Sequence, residues 1–87
     1  MPRGWPPLEL RHVLEILRNL GLTYTGSKGG HDFYEGVHNG QKRKVTVDPK
    51  VAPFGADLLK SMCKQAGCAR QEFYGASKAA DAKRSGR

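Results

Sequence analysis

The sequence predicts an α+β domain in which a helix, three antiparallel strands and a second helix form a two-layer sandwich. Apolar residues recur at three- and four-residue spacing across 8–20 and again across 56–66. Strand-like runs fill the interval, and glycine-containing turns join them too closely for anything but hairpins. Both helices need an apolar surface to cover. Packing them on one face of a hairpin-built sheet leaves its other face open.

Pro6-Pro7 is read as the helix opener, because proline loses nothing at the first helical position. From Leu8 to Leu20 the apolar stripe is Leu10, Val13, Leu14, Leu17 and Leu20, with Arg11, Glu15, Arg18 and Asn19 opposite, and Gly21 supplies the stop. "LTYTGSK", "HDFYEGV" and "QKRKVTV" are the strands, rich in residues that suit a pleated surface. Asn39-Gly40 between the last two is a strong hairpin signal. Asp48-Pro49 ends the third strand, and Pro53 with Gly55 marks the loop into the second helix, about Ala56 to Ala66. Leu58, Leu59, Met62 and Ala66 form its apolar side, Lys60 and Lys64 the other, and Gly67 closes it. "ARQEFYG" adds one short helical turn, with Phe73 placed to dock on the core. These elements make 1–75 the folded domain. The remaining 76–87, "ASKAADAKRSGR", has no large apolar residue and is expected to be a basic, unordered tail.

Composition narrows the function classes. A chain of 87 residues buries roughly 60% of its unfolded surface, enough for one core. Fifteen Lys and Arg against eight Asp and Glu give a net charge of +7, which points to an anionic partner. Two cysteines, Cys63 and Cys68, are too few for a disulfide framework or a zinc set. No apolar stretch approaches a membrane span, and no secretory leader pattern opens the chain, so the cytoplasm is the expected compartment.

Residues 27–36, "SKGGHDFYEG", place a histidine directly after two glycines at the entry to a strand. Together with "LRNLGLTYTGSKGGH", the "VTV" strand, and "LLKSMCKQAG" followed by "QEF", this resembles the HicA family of RNA-cleaving toxins. The similarity runs from about Leu10 to Phe73. The family's Gly-Ser-His motif corresponds to Gly29-Gly30-His31, so the resemblance makes His31 the catalytic histidine. It further implies a double-stranded-RNA-binding-domain-like fold, endoribonuclease activity on messenger RNA that inhibits translation, and a HicB-type antitoxin partner. The chain departs from the pattern where Gly30 replaces the motif serine and where Gly55-Ala56 replaces Gly-Thr, each time losing a hydroxyl. The stretch from Gln41 to Lys44 is also rich in positive charge.

The chemistry agrees with that placement. RNA carries its own nucleophile in the 2′-OH beside the scissile phosphorus. A protein need only take that proton, give one to the leaving 5′ oxygen and stabilise charge on the phosphoryl oxygens. Histidine, with an unperturbed pKa of about 6.5, suits either transfer at neutral pH. Gly29 and Gly30 would admit a phosphate to their backbone N–H groups, with Lys28 alongside as a cation. Lys42, Arg43 and Lys44 form the densest cationic run. They either line an RNA path through phosphates or act as a solvated strand that discourages sheet pairing. His12 and His38 are expected to be solvated, with His38 a minor candidate for second proton carrier. Asp32, Glu35 and Asp48 lie scattered in the sequence, with no metal-ligand spacing and no cofactor motif.

Strand parity leaves two arrangements open. His31, Phe33 and Glu35 share one face, Asp32 and Tyr34 the other. If Tyr34 packs under the helices, Phe33 lies on the open face, where it could stack on a base; if Phe33 is core, His31 turns inward or to the sheet end. A second functional reading is a non-catalytic RNA-binding module of the same fold. A third is an interaction subunit whose charge matches an acidic partner.

Overall fold

The computed structural model describes the backbone of residues 5–85 and the side chains of residues 5–82. The chain runs α1 (Leu10–Asn19), β1 (Leu22–Lys28), β2 (His31–His38), β3 (Gln41–Val47), a 3-10 turn (Pro49–Val51), α2 (Ala56–Ala66), α3 (Arg70–Gly75) and α4 (Lys78–Ser85). The expected helix, three-stranded antiparallel sheet and helix are therefore present, with two short helices following. The strands lie in the order β1-β2-β3, with β2 in the centre.

Both hairpins close through two residues of positive φ: Gly29 and Gly30 (61° and 86°), then Asn39 and Gly40 (53° and 77°). This is the turn conformation whose twist matches that of the flanking strands. A two-residue turn fixes register, so Asp32 pairs with Val47, Tyr34 with Val45 and Gly36 with Arg43. The buried Val45 and Val47 mark the helix-covered face. Leu22 and Tyr34 share it, and Tyr34 packs against the core while Phe33 does not. The first of the two parity arrangements holds. A bulge between Tyr24 and Gly26 shifts the β1 register and brings Lys28 opposite His31.

The core lies between that face and the helices. It takes Val13, Ile16 and Leu17 from α1, Leu59, Met62, Cys63 and Ala66 from α2, and Phe73 and Tyr74 from α3. In α2, Cys63 replaces the expected Leu58 on the buried stripe, and Leu58 is 45% exposed. The helix is rotated so that 59, 62, 63 and 66 meet the sheet, a three-and-four pattern no less regular than the expected one. α1 begins at Leu10 rather than Leu8, because Leu8 instead bridges to Phe54 through two backbone hydrogen bonds. Trp5 meets Tyr74 with ring centroids 5.2 Å apart and planes tilted by 47°, and the Tyr74 hydroxyl donates to Pro6 O.

Two further expectations are corrected here. His12 is buried rather than solvated, its Nδ1 accepting from Glu9 N at 3.4 Å at the start of α1. The segment after Gly75 is not unordered through 85. Ser77 Oγ accepts from Ala80 N at 3.2 Å and caps α4, Ala80 is fully buried, and Asn19 Nδ2 donates to Ala76 O at 2.7 Å. Alanine has the highest helix propensity and needs little room, so a segment without large apolar residues still docks on α1. Met1 to Gly4 of the expected leader and the last two residues of the expected tail lie outside the described residues. Among the described residues, no helix is long and apolar enough to cross a membrane.

Candidate nucleic-acid interface and histidine site

His31 begins β2 immediately after the Gly29-Gly30 turn, and about half of its side chain is exposed. Its Nε2 lies 3.8 Å from Oδ2 of Asp48, the residue that follows β3. Asp48 is held in turn, its Oδ1 accepting from Lys50 N at 3.1 Å as the cap of the 3-10 turn. Extending the β2–β3 register by one pair from Asp32 and Val47 sets residue 48 across from His31. The two-residue Asn39-Gly40 turn could have revealed this partner from sequence, since it dictates every later pair.

The glycines do more than clear space. Both occupy the left-handed region that the turn demands, and a side chain at Gly29 would meet nothing within 4 Å. At Gly30 an added Cβ would lie 3.0 Å from Lys50 Nζ, so that ammonium group rests against the turn. A serine at this position would sit in strained backbone, which accounts for glycine here. Lys50, which no sequence motif singles out, joins Lys28 to give two exposed cations flanking His31.

A groove of about 300 Å³ opens beside His31, between β3 and α2. Val51 and Leu58 provide its apolar wall, and Thr46, Ser61 and Gln65 provide polar groups. Gln65 Oε1 accepts from Thr46 N at 3.0 Å, so α2 caps part of the free edge of β3. Leu58 and Val51, both more than 40% exposed, are thus not stray surface residues but one side of the concavity next to the imidazole.

The cationic run divides by parity. Lys42 and Lys44 are exposed on the open face, where Lys44 Nζ sits 4.4 Å above the Phe33 ring. Arg43 points to the other face. It donates from Nε to His38 O at 3.1 Å, and its guanidinium packs against Gly67, where an added Cβ would fall 2.2 Å from Cζ. Arg43 is therefore engaged within the fold, whereas Lys28, Lys42, Lys44 and Lys50 are exposed. Lys60 and Lys64 are exposed on α2.

His38 does not join His31. It ends the same strand, seven steps or roughly 23 Å away. Its side chain is only 13% exposed, with Nε2 3.2 Å from Glu72 Oε2, so it is neither solvated nor within reach of the same phosphate. Among the described residues, the side chains close enough to share a metal ion are His38, Cys68 and Glu72, at that far end. Tyr34 faces Tyr24 edge-on at 5.7 Å, and burial, then Asp32 and then Tyr24, raise its pKa.

No protein-family model, no curated protein and no solved structure matches this chain.

Proposed function

We propose that this protein is an endoribonuclease toxin of the HicA type, using His31 as general acid or base and no metal ion in the cleavage step. The observation that carries the proposal is the exposed His31 imidazole beside the Asp48 carboxylate, flanked by Lys28 and Lys50 at a groove mouth. Asp48 faces the ring nitrogen and pairs with it whenever the ring is protonated. That fixes ring orientation and leaves the opposite edge to meet substrate. Lys28, Lys50 and the Gly29 and Gly30 N–H groups supply positive charge where the phosphoryl oxygens become more negative. The 2′-OH attacks phosphorus, the 5′ oxygen leaves with a proton, and the strand ends in a cyclic phosphate. Lys42 and Lys44 on the open face hold neighbouring phosphates, and Phe33 between them and His31 offers a ring to a base.

The messenger-RNA substrate and a HicB-type antitoxin follow from the same reading. An antitoxin silences this site most directly by covering His31 and seating apolar side chains on Val51 and Leu58, with acidic groups toward the lysines. The test is incubation of the purified chain with long single-stranded RNA, with and without EDTA, beside His31→Ala. Cleavage is expected to survive EDTA and to fall about 10²–10⁴-fold in the variant, with RNA binding retained. Undiminished cleavage by His31→Ala would refute the mechanism. Binding without cleavage in both proteins would instead establish a non-catalytic RNA-binding module.

A further inference from the structure

The far end of the β2–β3 hairpin holds a group of side chains that RNA cleavage does not use. His38 closes β2, Cys68 follows the end of α2, and Glu72 lies on α3. One ligand atom from each, an imidazole nitrogen, a thiol sulfur and a carboxylate oxygen, can be drawn from a set lying within 4.8 Å of one another. His38 Nε2 is buried and, although 3.2 Å from Glu72 Oε2, is not aligned to hydrogen-bond with it. A buried ring nitrogen left without a hydrogen bond is uncommon and needs a reason.

Coordination geometry supplies one. Tetrahedral bonds of about 2.0–2.3 Å hold neighbouring ligand atoms about 3.3–3.8 Å apart. The nitrogen–oxygen pair already has that spacing, and the sulfur must close by roughly 1 Å, within the reach of side-chain rotation. The backbone fixes the position from which this sulfur approaches, because Cys68 N donates to the carbonyl oxygen of Cys63 in the last turn of α2 at 3.0 Å.

We propose that His38, Cys68 and Glu72 bind one zinc ion, with a fourth position left to water. The thiol and imidazole favour zinc over magnesium or calcium, which take oxygen ligands. The ion would clip the hairpin tip to the α2–α3 corner, which Asn39 Nδ2 donating to Gly67 O at 2.9 Å already holds. The site stands roughly 23 Å along β2 from His31, so it supports the fold and takes no part in cleavage.

The test titrates cobalt(II) into the full, chemically reduced chain and follows absorbance, then displaces it with zinc and records thermal unfolding. One equivalent is expected to bind with a thiolate-to-cobalt charge-transfer band, and zinc is expected to raise the Tm. Cys68→Ser, near-isosteric at a half-buried position, is expected to abolish the band while leaving the far-ultraviolet circular dichroism unchanged. Glu72→Gln, at an exposed side chain, is expected to weaken binding about tenfold or more and to lose most of the zinc-dependent Tm rise. Absence of the band in the reduced wild type would overturn the proposal. So would an equal band and midpoint in Cys68→Ser, or an equal zinc-dependent Tm rise in both variants. Because the readouts are spectroscopic and thermal, failure here leaves the His31 assay untouched.

Discussion

At the scale of single residues, the same histidine–carboxylate pairing occurs twice with opposite consequences. His31 and Asp48 meet at 3.8 Å on the surface, where the ring stays half exposed and open to a substrate. His38 and Glu72 meet at 3.2 Å with the ring largely buried, where it reaches only its neighbours. Exposure, not residue type, separates the two, and sequence could not report it. Tyr74 offers a residue-scale prediction. It is fully buried, and burial, with Cys63 adding to it and Arg70 opposing, pushes its phenol up from 10.0 to about 12. The unfolded chain therefore loses this proton first, and above about pH 10 it binds fewer protons than the native state. Tyr74's contribution to stability should be complete below pH 10 and should fall by on the order of 2 kcal/mol as the pH rises to about 12. Urea unfolding of wild type and Tyr74→Phe from pH 8 to 12 checks this. The wild type should lead by about 1 kcal/mol at pH 8, through the hydroxyl's bond to Pro6 O, and lose that lead as the pH rises.

At the scale of elements, the close approach of α1 to the sheet depends on Gly36 in the central strand. A Cβ there would fall 2.1 Å from the carbonyl oxygen of Gly21, which ends α1's connection to β1. Backbone cannot yield as a flexible side chain does, so Gly36→Ala should cost about 1–3 kcal/mol, read as a lower urea midpoint at unchanged m-value. Gly29→Ala meets no neighbour and should cost only its left-handed backbone strain, about 1 kcal/mol. The elements themselves were legible wherever a local rule governed them. The three-and-four spacing of α1, the Asn39-Gly40 turn and the glycine that ends α2 all act within a few residues. α4 was not legible, because its docking rests on Ser77, Ala80 and the groups they meet on α1 rather than on a bulky apolar stripe.

For the whole molecule, a charge of +7 is spread unevenly in effect. Lys42 and Lys44 are exposed on the open face, Lys44 over the Phe33 ring, while the intervening Arg43 is tied to His38 O and packs against Gly67. If the open face carries RNA, Lys42→Gln with Lys44→Gln should flatten the log–log salt dependence of binding by roughly 0.7 for each phosphate no longer neutralised. Arg43→Gln should leave that slope unchanged and lower stability instead. Fluorescence anisotropy with a labelled single-stranded RNA across a salt series distinguishes the two. An equal change of slope in all three positions would mean that the run acts as one cationic surface.

The order of elements as far as α3, the two hairpin turns, the excess of positive charge and the prominence of His31 were legible in the sequence, because each follows from residues near one another in the chain. Packing was needed to show which charges are engaged, that Lys50 comes to rest against the turn before His31, and that His38 is drawn to Cys68 and Glu72. Those facts depend on how helices dock against a twisted sheet, and docking is set by the joint shape of many side chains rather than by any one of them. Composition counts a charge wherever it stands; only packing says whether water, a backbone carbonyl or a ligand meets it.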